Sequence, residues 1–281
     1  MSRSRAFTQV DVFTDRPLFG NPVAVVLDAH GLDGEQMQRF TTWTNLSEAT
    51  FLGPPSHPDA DYSVRIFTGT EELPFAGHPT LGSCFAWLAA GGVPRGDVVV
   101  QECGAGLVPV RRDPATEELR FAAPARRRTG PLDEADVTLI ARGLGLDRSD
   151  VVDHVWCDNG PPWQTVVLRS AEQVLAVRPD PVALAGLMVG VVGRYPPGAD
   201  TAFEVRGFFP TAQGLGEDPV TGSLNAALGQ WLIGAGKAPD RYVAAQGTAL
   251  GRAGRVSVER IGDDVWVGGR CVPVLTGTAT L

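Results

Sequence analysis

Apolar and polar positions switch between two periods along this chain, and the switches mark out its elements. Ala6–Phe13 (AFTQVDVF) alternates toward a strand, and Val23–Leu27 is a short apolar run bounded by Gly20-Asn21-Pro22, as a buried strand would be. Asp33 followed by Gln36 has the spacing of a capping box, which predicts a helix running through Met37 and Phe40 to about Trp43. Asn45-Leu46-Ser47-Glu48 then turns into an apolar strand at Ala49–Leu52. Farther on, Asp133–Gly143 reads as a helix, Asn159-Gly160-Pro161-Pro162 as a turn, and Gln164–Leu168 as a strand.

The same order of patterns then occurs twice. RIFTGTEELPFAGHPTLGSCFAWL (Arg65–Leu88) and RGFFPTAQGLGEDPVTGSLNAALGQWL (Arg206–Leu232) both open with Arg-x-Phe on a strand. Both pass through a loop to a polar residue before proline, His78-Pro79-Thr80 and Asp218-Pro219-Val220-Thr221, and both end a small-residue helix in Trp-Leu. A Gly/Pro turn follows each, then Val99-Val100-Gln101 or Ala244-Ala245-Gln246, then an alternating strand, Leu107–Val110 or Arg255–Val258. A duplicated β-rich unit wrapped around a helix is the expectation. The boundary is expected within Ala123–Pro131, which is rich in Pro, Arg and Gly, giving half-domains of residues 1–125 and 126–281. The final strand near 270–281 is a candidate to pack on the first half.

Composition narrows the function classes. With 281 residues, 43 % hydrophobic and 20 % charged, the chain has a globular balance, and either half can bury a core. A net charge of −8 argues against nucleic acid as a partner, because phosphate binding relies on Lys and Arg. Arg126–Arg128, near Arg111 and Arg112, read as solvated linker and strand-end charges. Cys84, Cys103, Cys157 and Cys271 form no C-x-x-C pair, and no two histidines have metal-ligand spacing, so no metal is expected. No signal peptide and no membrane-length apolar run is evident, and with unpaired thiols this points to the cytoplasm.

The candidate chemistry gathers at the two copies of the loop. Equivalent loops of similar domains tend to face each other across a cleft, and ligands favour clefts. Here these loops carry His78 and Asp218, with Gly77 and Gly222 permitting close backbone approach. Pro79 and Pro219 suit a first helical turn, and the N–H groups around Thr80–Gly82 and Thr221–Ser223 could hold a carboxylate. Asp218 reads equally as a helix N-cap, and His78 as a polar residue at a helix start. Glu48 sits where a polar turn enters a buried strand. It reads either as a surface glutamate or as a desolvated carboxylate whose pKa rises toward a general base's range. His30, His57 and His154 read as structural or surface groups.

Taken together, VDVFTDRPLFGNPVAVVLDA, NLSEATF, ELPFAGHPTLGS, QECGAGLVPV and GEDPVTGSLNAALGQWL resemble the PhzF family of phenazine-biosynthesis-like isomerases along nearly the whole chain. The resemblance implies an α+β fold of two pseudo-symmetric diaminopimelate-epimerase-like domains, each a β-barrel-like sheet around a central helix. It also implies a homodimer and a coenzyme-independent, acid–base isomerase acting on a small, cyclic carboxylate. By the same resemblance Glu48 shuttles the proton, His78 and Asp218 are its polar partners, and Ser47, Gly77, Gly222 and Ser223 contact substrate. Asn45 and Thr80 join them as substrate-binding candidates. Ser223-Leu224-Asn225 departs from the family's frequent Ser-Ala-His, which leaves the substrate open. An epimerase or racemase on this scaffold, and a catalytically idle carboxylate-binding protein, are the alternatives. Cys84 and Cys271 have no repeat partners, which disfavours a two-thiol racemase.

Overall fold

A computed structural model describes residues 3–211 and 214–281. The chain divides into two compact units, Met1–Ala122 with Gly268–Leu281, and Ala123–Val267. In the first unit, β1 (Ser4–Val12) pairs antiparallel with β2 (Asn21–Val26). Helix α1 (Gly34–Thr44) then crosses to β3 (Glu48–Gly53), which lies parallel to β2. The expected capping box is present: Asp33 accepts from the Gln36 N–H at 2.8 Å and the Gln36 side chain accepts from the Asp33 N–H at 3.0 Å. β4 (Tyr62–Thr68) runs antiparallel to β3 and turns back as the short β5 (Glu72–Leu73). Helix α2 (Gly77–Ala89) follows, then β6 (Val99–Cys103) parallel to β4, β7 (Gly106–Arg112) antiparallel to β6, and β8 (Leu119–Ala122) antiparallel to β7.

The second unit begins with helix α3 (Glu134–Gly143) and then repeats the same succession of pairings. β9 (Val151–Asp158) is antiparallel to β10 (Pro162–Leu168), and helix α4 (Ala171–Ala176) crosses to the parallel strand β11 (Val189–Arg194). β12 (Phe203–Thr211) and β13 (Gly214–Asp218) form the antiparallel return. Helix α5 (Gly222–Gly234) leads to β14 (Arg241–Gln246) parallel to β12, and to β15 (Gly254–Ile261) antiparallel to β14. After β16 (Asp264–Gly269), β17 (Cys271–Thr280) pairs antiparallel along β1, and so belongs with the first unit. The duplication therefore reaches back to the first strand of each unit.

Side chains explain the repeated motifs. Residues two apart on a strand share a face, so in each Arg-x-Phe the guanidinium lies over the ring, at 5.1 Å for Arg65 on Phe67 and 4.9 Å for Arg206 on Phe208. The same arginine forms a two-pronged pair with a glutamate of the returning strand. Arg65 reaches Glu72 at 2.7 and 2.6 Å, and Arg206 reaches Glu217 at 2.8 Å through both nitrogens.

Helices α2 and α5 are buried along most of their length, which is why small residues crowd their sequences. A Cβ on Gly82 would sit 2.4 Å from a Val23 methyl, and one on Gly229 would sit 2.6 Å from a Val258 methyl. These glycines set how closely each helix approaches its strands. Among the described residues, no helix is long and apolar enough to cross a membrane.

Gly82→Ala is expected to cost about 1–3 kcal/mol by overpacking a β-branched neighbour, seen as a lower melting temperature. Gly234→Ala is the control. It lies at the exposed end of α5, where an added methyl meets no neighbour within 4 Å. It should be neutral, or stabilising by up to about 1 kcal/mol through helix propensity. Equal losses at the two positions would rule out close packing as the reason for Gly82.

Candidate active site

Glu48 is the first residue of β3, paired across to Thr68. The chain reaches it by a sharp stop to α1. Asn45 caps the helix in the left-handed conformation (φ 57°, ψ 20°), and its side-chain amide donates to the Trp43 carbonyl at 3.2 Å. That gives Asn45 a structural task. The Glu48 side chain is 17 % exposed. Burial pushes its carboxyl up from 4.5 to about 7, against the smaller lowering effect of a hydrogen bond with the exposed Ser47 side chain.

His78 is brought to Glu48 by the start of α2. Its ring is 6 % exposed, and Nε2 lies 3.4 Å from Glu48 Oε2. Nδ1 lies 3.5 Å from the amide nitrogen of Asn21, which opens β2. The helix begins at Gly77 with Ala76 as its N-cap, so His78 sits inside the first turn. The N–H groups of Gly77 and His78 therefore have no intrahelical acceptor. This corrects the expectation for Thr80–Gly82, which lie deeper in the helix. The Thr80 N–H donates to the Ala76 carbonyl at 3.1 Å, and its fully buried hydroxyl accepts from Gln101 at 3.0 Å, so Thr80 faces the core.

The matching loop of the second unit is built differently. Asp218 closes β13 opposite Gly207, and α5 starts only at Gly222 with Thr221 as its N-cap. Asp218 is thus not the helix cap, and Pro219 precedes the helix instead of entering its first turn. The N–H groups without intrahelical acceptors are those of Gly222, Ser223 and Leu224. Trp163 Nε1 donates to the Ser223 hydroxyl at 3.0 Å, and the Asn159 amide donates to the Ser223 carbonyl at 2.9 Å. With one lone pair of its oxygen taken, the Ser223 hydroxyl keeps its proton for an outside acceptor.

A buried glutamine holds this loop. Gln246 Oε1 accepts from the Thr221 N–H at 3.0 Å and from Asn225 at 2.8 Å, while Nε2 donates to the Thr221 hydroxyl at 2.9 Å and the Asp218 carbonyl at 3.2 Å. Asn225, one of the two residues that depart from the family's pattern, is consumed in this buried network, and Leu224 is fully buried.

The remaining candidates have structural partners. His154 Nδ1 accepts from the Leu132 N–H at 3.0 Å, and His57 Nδ1 accepts from the Asp59 N–H at 3.2 Å. Cys84 lies in the middle of α2, fully buried, and burial pushes its thiol up to about 12. Sequence reading missed Asn21, Gln246, Asn159 and Trp163 as parts of this machinery. Gln246 was visible in the repeat, and the other three lie in or beside turns that read only as chain reversals.

Known proteins resemble this chain along most of its length. The family model described as phenazine biosynthesis-like protein matches residues 10–277. The antisense-enhancing sequence 1 protein of Schizosaccharomyces pombe is 36 % identical over 97 % of both chains. Trans-2,3-dihydro-3-hydroxyanthranilate isomerase of Pseudomonas aeruginosa is 35 % identical over 89 % of this chain and 88 % of that one. A Bacillus anthracis PhzF-family crystal structure shares the fold, with a TM-score of 0.84 over 99 % of this chain and 100 % of the other at 22 % identity. The family match along nearly the whole chain, with relatives above 30 % identity, establishes that this chain belongs to the phenazine biosynthesis-like (PhzF) family.

Proposed function

We propose that this chain is a coenzyme-independent isomerase that moves a proton between carbons of a small, cyclic carboxylate, with Glu48 as the proton carrier. The observation that carries the reading is a carboxyl group poised at about 7 beside a histidine ring. A base is most effective when its pKa lies near the working pH, and burial supplies that shift here. Glu48 as carboxylate takes the proton from one carbon, becomes the neutral acid, and returns it to another. Charge developing on the substrate needs fixed donors, and the helix-start N–H groups and the His78 ring provide them in the first unit. Asp218, Gly222 and Ser223 are the proposed contacts to the substrate's polar groups in the second. The relative from Pseudomonas aeruginosa, an isomerase of a dihydro-hydroxyanthranilate, supports a cyclic carboxylate as substrate class. Neither Cys84 nor Cys157 suits a thiol racemase, since burial pushes both up to about 12 and leaves them protonated at neutral pH. The reading includes a cytoplasmic homodimer, testable by light scattering and cell fractionation.

Incubation of trans-2,3-dihydro-3-hydroxyanthranilate and related cyclic carboxylates in D₂O should give isomerised product with deuterium at the receiving carbon. Glu48→Gln should lower the rate by about 10²–10⁴-fold with ligand binding retained. Full turnover in that variant would sink the mechanism.

The pH dependence of kcat/KM should follow the same group. Activity should rise as Glu48 loses its proton, with a midpoint near pH 7, and level off above it. A rise centred near pH 4.5 would mean that the carboxylate is not desolvated.

Stability should carry the opposite sign. The folded protein holds the Glu48 proton to a higher pH than the unfolded chain, so this group's contribution falls as pH rises from about 4.5 to about 7. Glu48→Gln removes that penalty. It should stabilise the protein at pH 8 by up to about 3 kcal/mol, with the gain fading toward pH 4. Denaturant melts at the two pH values measure it, and a gain independent of pH would contradict it.

A further inference from the structure

The geometry points to Asn21 as a positioning residue that fixes which nitrogen of His78 carries the proton, so that the Nε2–H side of the ring faces Glu48. This rests on the reading of Glu48 as the proton carrier. Asn21 Nδ2 lies 3.5 Å from Nδ1 of the His78 ring, and Glu48 Oε2 lies 3.4 Å from Nε2. An amide nitrogen can only donate. Nδ1 must then offer its lone pair, and a neutral ring keeps its single proton on Nε2. That nitrogen is the one nearer the carboxylate, 3.4 Å from Glu48 Oε2 and close enough for the two to come into hydrogen-bond geometry by a small turn of either side chain. In the opposite tautomer a lone pair would face the Glu48 oxygen and favour its protonated, inactive starting form.

Asn21 is itself held firmly. It is completely buried and opens β2 opposite Val12. The residue before it, Gly20, donates its N–H to Asp11 Oδ2 at 3.0 Å. A Cβ on Gly20 would sit 2.2 Å from the Val12 carbonyl oxygen, so only glycine lets the loop close this tightly on β1. Asp11 is also buried. A path of fixed groups therefore runs from Asp11 through Gly20 to Asn21, His78 and Glu48, all within the first unit.

Comparison of the two copies separates this role from a merely structural one. The Arg–Glu pairs, the Arg–Phe stacks and the glutamine-to-threonine bonds occur in both units. They are parts of the scaffold. Phe67 lies opposite Ala49 and Phe208 opposite Val189, so the position of Glu48 is Met188 in the second unit, and the parallel pairs Ala24–Ala49 and Gln164–Val189 align Asn21 with Pro161. Asn21 is present in the copy that has Glu48 and His78, and absent from the copy that lacks them.

The test needs no substrate. The full-length protein is labelled with ¹⁵N-histidine, and its ring nitrogens are observed at pH 8, above the ordinary imidazole pKa of about 6.5. His78 is assigned by the signal lost in His78→Gln, and His154, whose Nδ1 also accepts a hydrogen bond, serves as an internal reference. The wild type should show His78 with an unprotonated Nδ1 and a protonated Nε2. Asn21→Asp keeps the shape but can only accept, so it should move the Nδ1 resonance into the protonated range. Asn21→Leu, which removes the donor, should move it part of the way. A wild-type spectrum with Nδ1 protonated overturns the proposal at once, whatever the variants do. An Nδ1 resonance unmoved in the folded variants overturns it as well. Deuterium uptake abolished by Glu48→Gln alongside such a result would leave the isomerase reading standing and remove only the role of Asn21.

Discussion

A buried glutamine amide beneath the start of each chemistry-bearing helix is the interaction on which the rest of this architecture turns. Gln101 donates to the Thr80 hydroxyl in one unit, and Gln246 donates to the Thr221 hydroxyl in the other. Both glutamines are fully buried, so leaving either amide unpaired would cost on the order of 1–3 kcal/mol. The first turn of α2 and the N-cap of α5 must therefore keep the conformation that satisfies the amide. In the second unit the same side chain also takes up the Thr221 N–H and the Asp218 carbonyl, so the backbone on both sides of Pro219 is fixed from below. The helix starts that follow are presented by this arrangement. A carboxylate-binding surface made of backbone N–H groups is useful only if those groups do not move.

The second organising fact is that the scaffold tolerates an unfavourable carboxyl group. Placing Glu48 where water is largely excluded costs folding stability at neutral pH, and the rest of the unit has to offset it. The offset comes from ordinary sources: a helix capped at both ends, aromatic contacts linking Phe7, Phe40, Phe51 and Phe67, and a strand held on both sides by β2 and β4. Functional sites are often placed against local stability in this way.

Much of this was legible in the sequence because the relevant signals are local. The Asp33/Gln36 capping box and the Arg-x-Phe strands follow from contacts within a few residues or from simple face alternation, and the small residues of α2 and α5 form continuous runs in the sequence. The full reach of the duplication was not legible. β1 to β3 and β9 to β11 share an order of pairing but few residues, because a buried strand accepts many apolar sequences. The helix starts were misjudged for a related reason. Residues before proline look alike in both copies, yet α2 begins one residue before His78 and α5 begins four residues after Asp218. Backbone hydrogen bonding decides that difference, and Gln246 is the partner that holds the longer approach open. Asn21 escaped notice because Gly-Asn-Pro reads first as a turn, and the partner that gives it meaning lies 57 residues away.

The two copies therefore divide scaffold from chemistry. Contacts present in both units are those that any sequence folding this way must satisfy: the paired arginines, the stacked rings, the glutamine staples and the close glycines. What differs between equivalent positions is free of that demand and can be spent on reaction chemistry. Glu48 against Met188 is the clearest instance. The half-buried methionine there has no charge to desolvate, whereas the mostly buried glutamate carries the desolvation penalty. Duplication of a unit that folds well with an apolar residue at this position explains how the other copy can carry a strained carboxyl without losing the fold. The residue that follows is paired in the same way in both copies, Ala49 with Phe67 and Val189 with Phe208, whichever side chain precedes it.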